Sequence, residues 1–204
     1  MKQLTIIGAS GHGKVVADIA LKSGYDSMVF LDDDERIQTC GCYQVIGKSS
    51  LAERTGNDVF VAIGNATIRQ KIHEKLEKIG ITVPVLIHPN AVIAEDTVIG
   101  EGTIVMAGAV VNPGSTIGKG CIINTCSSVD HDCQIGDYVH ISIGAHLAGT
   151  VILGKNTWVG AGATISNNIE ITSCCMIGAG AVVINDIIEK GTYVGVPARK
   201  IDIE

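Results

Sequence analysis

Aliphatic residues recur at every sixth position through the second half of this sequence. Sixteen consecutive positions at this spacing hold only isoleucine, valine or leucine. They are Ile93, Ile99, Val105, Val111, Ile117, Ile123, Val129, Ile135, Ile141, Leu147, Leu153, Val159, Ile165, Ile171, Ile177 and Val183. The residue two places before each of them is mostly small, as at Ala109, Ser115 and Cys121. Chance does not sustain such a pattern, so the fold of this half repeats every six residues.

A period of six matches neither the 3.6-residue turn of an α-helix nor a simple array of β-hairpins. It fits short strands joined by tight turns, in which residues i and i−2 face the same way because side chains alternate along a strand. The aliphatic residue and the small residue before it therefore both point inward. Three such strands close one triangular coil, and coils stack about 4.8 Å apart. The repeat predicts a parallel β-helix, with residues 91–188 making about five coils.

Glycine follows the aliphatic residue at six of these positions. They are Gly100, Gly118, Gly136, Gly154, Gly160 and Gly178. Because glycine reaches backbone conformations that are costly for other residues, we expect these six to adopt such conformations at the corners of the coils.

Composition and charge argue against several kinds of partner. Aromatic residues are only 3% of the chain, which suits a narrow, regular core of aliphatic side chains. The net charge is −6 and no run of lysine or arginine occurs, which argues against nucleic acid or an anionic membrane as partner. The first apolar stretch, LTII, is too short for a signal peptide or a membrane span. We therefore expect a cytoplasmic protein that does not insert into membranes.

The seven cysteines indicate reduced thiols. Their number is odd, and no pair of CxxC motifs indicates zinc. Several of them fall on the small inward positions of the repeat, as Cys121 does. We expect a cytosolic protein with free thiols and no bound metal.

Residues 1–88 have a different sequence pattern, which predicts a separate, Rossmann-like α/β domain. The β-helix domain is predicted over 89–204. Four short aliphatic runs are typical of buried parallel strands: LTII, MVFL, VFVAI and VPVLI. Helices are predicted over 14–21 and 67–79. In the second helix, the apolar residues at helical spacing predict the buried face, and His73 falls on the polar face. Those apolar residues are Ile68, Ile72, Leu76 and Ile79.

The loop GASGHGKV, after the first strand, admits several interpretations. As a P-loop it lacks the serine or threonine that would hold magnesium, because Val15 follows Lys14. As a dinucleotide fingerprint it offers three glycines and an acidic end of the second strand, but the domain is short for such a site. As a nucleotide-sugar site it offers close backbone approach to a diphosphate and a helix N-terminus at Lys14. A purely structural turn is the remaining alternative.

The tail GTYVGVPARKI, residues 191–201, resembles the hexapeptide-repeat acyltransferases, as the six-residue repeat does. Four segments, followed by the β-helix, resemble more closely the bacterial nucleotide-sugar acetyltransferases. They are GASGHG, FLDDD at 30–34, AIGNATIRQKI at 62–72 and LIHPNAVI at 86–93. That group includes the UDP-4-amino-sugar N-acetyltransferases of the bacillosamine pathway and the sialic acid O-acetyltransferases, within the hexapeptide-repeat acyltransferases. The resemblance runs nearly end to end. It implies a left-handed parallel β-helix, acetyl-CoA as co-substrate and a homotrimer with active sites between subunits.

The same resemblance assigns binding residues. Ser10, Gly11, His12 and Gly13 would meet the phosphates of the nucleotide-sugar, and Asp32, Asp33, Gly64 and Asn65 would lie near its base and ribose. Asn124 is assigned to the acceptor as well. His140, Gly149, Trp158 and Arg199 are assigned to acetyl-CoA.

His131 is the candidate general base. It lies between Asp130 and Asp132 and outside both inward registers, so it faces outward. A carboxylate beside an imidazole fixes its tautomer and raises its basicity, and the resemblance assigns this role to Asp132. Gly149 falls one coil above His131. His140 lies half a coil from His131, on a different face, so a site that uses both must form between subunits.

The resulting hypothesis is an acetyl-CoA-dependent N-acetyltransferase, in which the amino group of a UDP-linked 4-amino-sugar attacks the thioester directly and His131 acts as the base. The alternatives are O-acetylation of sialic acid or another sugar hydroxyl, and a non-catalytic nucleotide-sugar-binding scaffold. A zinc lyase built on His131, His140 and His146 is disfavoured by their spacing.

Overall fold

The computed structural model describes residues 1–202. The chain divides into two compact units, Met1–Pro89 and a second that begins at Asn90.

The first unit is built on a three-stranded parallel sheet. In chain order its elements are β1 (Gln3–Ile7), α1 (Gly11–Lys22), β2 (Ser27–Leu31), β3 (Thr39–Cys40), β4 (Tyr43–Gln44), a 3-10 helix (Ser49–Arg54), β5 (Asp58–Val61), α2 (Ala66–Lys78) and β6 (Leu86–Ile87). The sheet has the order β2–β1–β5, and β3 and β4 form a separate antiparallel hairpin. Aliphatic side chains and two phenylalanines, Phe30 and Phe60, fill the core. The expected α/β character is confirmed.

Two details of this unit differ from the sequence prediction. The run VPVLI contributes only the two-residue strand β6, which lies outside the three-stranded sheet. Helix α1 begins at Gly11, three residues before the predicted start at Lys14, because Ser10 already takes the extended N-cap conformation. Most of the glycine-rich loop therefore forms the first turn of the helix.

The buried face of α2 matches the predicted one only in part, since Leu76 alone of the predicted residues is fully buried. Arg69, His73 and Leu76 are buried, whereas Ile68 and Ile79 are about half exposed. The guanidinium of Arg69 donates to the carbonyl oxygens of Ile63 and Gly64 at 2.8 and 2.7 Å, in the turn that leads into the helix. These bonds hold the basic side chain of Arg69 inward. His73 is also buried, so the prediction that it is exposed was wrong.

The second unit is a parallel β-helix. Its two-residue strands follow the six-residue period along the chain. They are β7 (Val92–Ile93), β8 (Val98–Ile99), β9 (Ile104–Val105), β10 (Val110–Val111), β11 (Thr116–Ile117), β12 (Ile122–Ile123), β13 (Ser128–Val129), β14 (Gln134–Ile135), β15 (His140–Ile141), β16 (His146–Leu147), β17 (Ile152–Leu153), β18 (Trp158–Val159), β19 (Thr164–Ile165), β20 (Glu170–Ile171), β21 (Met176–Ile177) and β22 (Val182–Val183).

Every third strand belongs to the same face. One face runs from β7 through β13 to β22, the second from β8 to β20, and the third contains β9, β12, β15, β18 and β21. The strands pair in parallel, with Val111 opposite Val129 as an example of the register. The third face continues with β23 (Thr192–Val194) and an antiparallel β24 (Arg199–Ile201). The predicted fold class, an α/β domain followed by a left-handed parallel β-helix, is confirmed.

The interior of the β-helix consists of the two predicted rows. The aliphatic residues are buried from Val105 onward and partly buried in the first coil, at Ile93 and Ile99. Cys121, Cys133 and Cys175 are buried at small inward positions, and all seven cysteines are free thiols. No helix in residues 1–202 has the length and apolar character needed to cross a membrane.

The predicted role of the corner glycines was wrong. The six glycines that follow the aliphatic row do not adopt the left-handed conformation. They are needed for close approach, because a Cβ at Gly118 would lie 2.7 Å from the main-chain N of Asp137 on the next coil. The left-handed positions form another six-residue row, two places further on. Seven of its members are not glycine: Cys126, Asp132, Tyr138, Thr150, Asn156, Asn168 and Cys174.

Candidate active site

His131 and Asp132 form a hydrogen-bonded pair at the corner between β13 and β14. Nδ1 of His131 lies 2.8 Å from Oδ2 of Asp132, and both side chains are more than half exposed. Asp132 occupies a left-handed position with φ of 59°. Since a carboxylate only accepts, Nδ1 carries the proton, and in the neutral ring Nε2 carries the lone pair. The pair therefore presents a basic nitrogen to the outside of the β-helix.

Two glycines on neighbouring coils make room for this pair. A Cβ at Gly149, on the coil after His131, would lie 2.5 Å from Cε1 of the ring and still closer to Nε2. A Cβ at Gly114, on the coil before, would collide with the carboxylate of Asp132. The expectation that Gly149 faces His131 agrees with this geometry. Gly114 was missed, although its offset of 18 residues from Asp132 could have indicated it.

The electrostatics of the corner favour protonation of His131. The hydrogen bond to Asp132 raises the pKa of His131, and the charges of Asp130 and Asp132 add to this effect. The pKa of Asp130 is lowered, chiefly by a hydrogen bond from Asn112 and then by one from the His131 main chain. A histidine with a raised pKa is a stronger base when it is neutral, which suits proton abstraction.

His140, Asn124 and Trp158 come together on the third face. Nδ2 of Asn124 lies 3.2 Å from Nε2 of His140, whose ring stacks on Trp158 with centroids 4.9 Å apart. The indole Nε1 of Trp158 donates to Oγ of Ser142 at 2.7 Å. Ser142 was not predicted. This cluster offers an aromatic platform and hydrogen-bonding groups, and it lies on a different face from the strands that flank His131.

His146 is the third histidine of the β-helix that the zinc-lyase alternative would use as a ligand. Its Nδ1 lies 2.9 Å from Oγ of Ser128 on the adjacent strand. Within residues 1–202, no three histidine, cysteine or acidic side chains cluster closely enough to hold a metal ion.

The glycine-rich segment of the first unit ends in an open helix N-terminus. The first-turn N–H groups of Gly11, His12 and Gly13 have no acceptor within the helix, and Ser10 makes no side-chain cap. A Cβ at Gly11 would meet nothing within 4 Å, whereas one at Gly13 would collide with the Gly8 carbonyl and lie 3.0 Å from the Phe30 ring. Gly11 therefore leaves open space, and Gly13 is required for packing.

The imidazole of His12 is not a cation at neutral pH. Burial, and then the charge of Arg69, lower its pKa to about 4. Any anion at this helix N-terminus would therefore meet main-chain N–H groups and a neutral ring.

The acidic residues after β2 brace the protein. Asp32 accepts the N–H groups of Ala9 and Asp34 at 2.7 and 2.9 Å, which ties the strand end to the glycine-rich segment. Both oxygens of Asp33 accept hydrogen bonds from Ser49, at 2.9 and 3.0 Å. Asp32 therefore adjoins the open helix N-terminus, while Asp33 holds the start of the 3-10 helix.

Gly64, Asn65 and Arg199 also make local contacts. The Gly64 carbonyl accepts from Arg69, and Oδ1 of Asn65 caps α2 by accepting the N–H of Ile68 at 3.0 Å. Arg199 is exposed in β24 and donates to the carbonyl of Ala198. Ligand contacts for all three remain predictions.

The two units correspond to two known families. Residues 3–76 match the model of the PglD N-terminal domain. Residues 84–113 and 96–131 match the model of the bacterial transferase hexapeptide with six repeats. The chain is thus a hexapeptide-repeat transferase with a PglD-type N-terminal domain.

Individual relatives indicate which reaction class within this family the chain resembles. The chain is 31% identical to GDP-perosamine N-acetyltransferase of Escherichia coli O157:H7 over 76% of its own length and 74% of the relative's. It is 38% identical to UDP-N-acetylbacillosamine N-acetyltransferase of Bacillus subtilis over half of each chain. The acetyltransferase domain of PglB from Neisseria gonorrhoeae, solved with acetyl coenzyme A, is 42% identical with a TM-score of 0.94, over 98% of this chain and 99% of that one. The chain belongs to the bacterial amino-sugar N-acetyltransferases with hexapeptide repeats.

Proposed function

We propose that this protein transfers the acetyl group of acetyl-CoA to the amino group of a nucleotide-linked 4-amino-sugar, with His131 as general base. The observation that carries the proposal is the His131–Asp132 pair, whose Nε2 faces the space left by Gly149. Family membership supports the reaction class, since two named relatives are N-acetyltransferases of sugars.

The chemistry follows from the orientation of the ring. The amine attacks the thioester carbonyl, a C–N bond forms, and Nε2 of His131 accepts a proton from the attacking nitrogen. Collapse of the intermediate breaks the C–S bond, and the thiolate of CoA leaves and takes up a proton. Asp132 holds Nδ1–H, so the ring keeps its tautomer and the imidazolium is stabilised.

An oxyanion donor is available beside the base. Among the described residues, the main-chain N–H of Gly149 donates to no protein acceptor. Main-chain N–H groups placed beside a developing oxyanion are the usual means of stabilising it in acyl transfer. We assign this role to Gly149, since its N–H lies on the coil that faces Nε2.

The acceptor's diphosphate is assigned to the first unit. The open N-terminus of α1, with the N–H groups of Gly11, His12 and Gly13, provides an electropositive main-chain site. Ser10 and Asp32 adjoin it, and Asp33, Gly64 and Asn65 are proposed to lie near the base and ribose. Asn124 is proposed to bind the acceptor sugar.

Acetyl-CoA is assigned to the β-helix, with Gly149 beside the thioester. His140, Trp158 and Arg199 are proposed to line its groove, because the stacked rings of His140 and Trp158 provide a flat apolar wall. His131 and His140 belong to different corners and faces of one β-helix. We therefore propose a homotrimer in which each active site combines two subunits. Sedimentation showing a stable, active monomer would contradict this.

The nucleotide carrier is proposed to be UDP, as the resemblance to the bacillosamine-pathway enzymes implies. The named relatives use both carriers, GDP in one and UDP in the other. Free cysteines, as expected of a reducing compartment, support a cytoplasmic location, where acetyl-CoA is available.

The test is a screen of UDP- and GDP-linked 4-amino-sugars with acetyl-CoA, followed by thiol release and by mass spectrometry of the sugar. The matched control carries a hydroxyl in place of the amino group. We expect acetylation of the amine only, and strong dependence on His131. Acetylation of the hydroxyl control at an equal rate would show that the enzyme is an O-acetyltransferase instead.

A further inference from the structure

The carboxylate of Asp130 holds the main chain of His131. Oδ1 of Asp130 accepts the N–H of His131 at 2.8 Å, and the same oxygen accepts Nδ2 of Asn112 at 2.8 Å. Asn112 follows β10 on the preceding coil, 18 residues from Asp130. One carboxylate oxygen thus joins the preceding coil to the amide of the candidate base.

The other main-chain groups of this corner are fixed in a different way. The N–H of Asp130 donates to the carbonyl of Leu147, and the carbonyl of His131 accepts from the N–H of Thr150. The carbonyl of Asp130 accepts from Oγ of Ser115 at 2.8 Å. Among residues 1–202, the N–H of His131 donates only to the carboxylate of Asp130, and that carboxylate is in turn held by Asn112.

We propose that Asn112 and Asp130 are positioning residues, which fix the main chain of His131 so that its ring meets Asp132 and faces Gly149. This inference rests on the proposed function. The side chain of His131 is 58% exposed, so packing alone does not hold it. Asp132, its ring partner, sits in a left-handed conformation whose geometry depends on the same corner. A shift of the corner therefore disturbs both members of the pair.

Asp130 also carries a negative charge, which helps to raise the pKa of His131. Substitutions can separate the effect of this charge from the effect of positioning. Asp130→Asn keeps an oxygen that can accept both hydrogen bonds but removes the charge. Asp130→Ala removes both. Asn112→Ala keeps the charge and the bond to His131 but releases the carboxylate. The titratable groups that act on His131 are Asp130 and Asp132, while Asn112, Gly114 and Gly149 of the adjacent coils do not titrate.

Steady-state kinetics give the first test. We expect Asp130→Ala and Asn112→Ala to lower kcat about 10- to 100-fold, the usual cost of misplacing a catalytic group, with KM for both substrates little changed. The double variant should be no slower than Asp130→Ala alone, because both substitutions break one connection. Asp130→Asn should retain most of kcat, with the acid limb of its pH profile moved to lower pH.

Asp137→Ala is the matched control. Like Asp130, Asp137 is a corner aspartate whose Oδ1 accepts a main-chain N–H and links two coils. Its donor is Lys119, 18 residues away at 2.9 Å, and its corner lacks the candidate base. We expect its kcat to match that of the parent protein. An equal loss in Asp137→Ala, or parent-like kcat in both alanine variants at 112 and 130, would overturn the proposal.

A spectroscopic measurement keeps the inference separate from the reaction itself. Nitrogen-15 spectra of histidine-labelled protein report the tautomer of His131, with His131→Gln used for assignment. We expect a single Nδ1–H tautomer in the parent protein and in Asp130→Asn, and averaged tautomers in Asn112→Ala and Asp130→Ala. If the tautomer is unchanged in those two variants, the proposal fails. If it changes while no amino-sugar is acetylated, the positioning stands and the proposed function fails.

Discussion

Replacing Gly149 with alanine should lower activity without loosening the fold. The new Cβ would lie 2.5 Å from Cε1 of His131, whereas an ordinary contact between such atoms is about 3.5 Å. The ring must therefore move by about 1 Å, and it has open solvent to move into. A displacement of this size costs about 10² in rate when a catalytic group is misplaced.

Stability should hardly change. The backbone of Gly149 is not left-handed, so alanine fits its conformation. Alanine at such a position usually adds about 0.4–1 kcal/mol by restricting the unfolded chain. We expect an unchanged or slightly higher Tm and a kcat/KM about 100-fold lower, measured by thiol release and thermal unfolding.

Two further variants isolate the cause. In a His131→Ala background, Gly149→Ala should have no further effect on rate, because the colliding ring is gone. Gly144→Ala adds a methyl group where nothing lies within 4 Å, but at φ of 60°, so it should cost about 1 kcal/mol of stability and leave kcat intact. If Gly149→Ala slows the His131→Ala enzyme by the same factor as the parent, the steric argument is refuted.

Three other predictions concern the base and the helix N-terminus. His131→Ala should lower kcat by about 10²–10⁴, the worth of a positioned general base, with unchanged Tm; parent-like turnover across the whole pH range would refute the assignment. Asp132→Asn should lower kcat less and move the acid limb of the kcat profile to lower pH, because its hydrogen bond is the main cause of the raised pKa of His131; an unmoved limb would contradict this. Gly11→Val should weaken nucleotide-sugar binding, measured by calorimetry, and leave acetyl-CoA binding and Tm unchanged. Gly13→Val should lower Tm, because its side chain meets the Gly8 carbonyl and the Phe30 ring. Equal loss of affinity for both ligands in Gly11→Val would refute the assignment of the two ligands to separate units.

The hydrophobic period determined the β-helix. A strand shows its register in the sequence because inward residues alternate strictly, and a period of six fits short strands joined by tight turns. The same logic placed Gly149 over His131. The pairing of Asp132 with His131 was predicted from the family resemblance, because the sequence pattern alone offers Asp130 and Asp132 equally.

The backbone conformation of the corner residues could not be predicted from the sequence alone. The glycines that follow the aliphatic row avoid collision with the next coil, while a different row carries the left-handed conformation. Only half of that second row is glycine, because asparagine, aspartate and other residues can take the conformation at a cost that the stacked coils offset. The positions of glycine in the sequence therefore indicated the wrong set of residues for the left-handed conformation.

In the first unit, the sequence predicted the three strands of the sheet and the two α-helices, but not which way the side chains of α2 face. The apolar stripe of α2 suggested a buried Ile68 and an exposed His73, and the structure reverses both. Arg69 donates to two carbonyl groups of the preceding turn, and its buried side chain lies on the same face of the helix as His73, four residues further on. Likewise, only the tertiary structure decided that Asp33 holds Ser49 and that Asp130 holds His131, since such bonds depend on distances between segments. The sequence alone thus determined the repeating architecture and the candidate base, and the tertiary structure decided the network that positions that base.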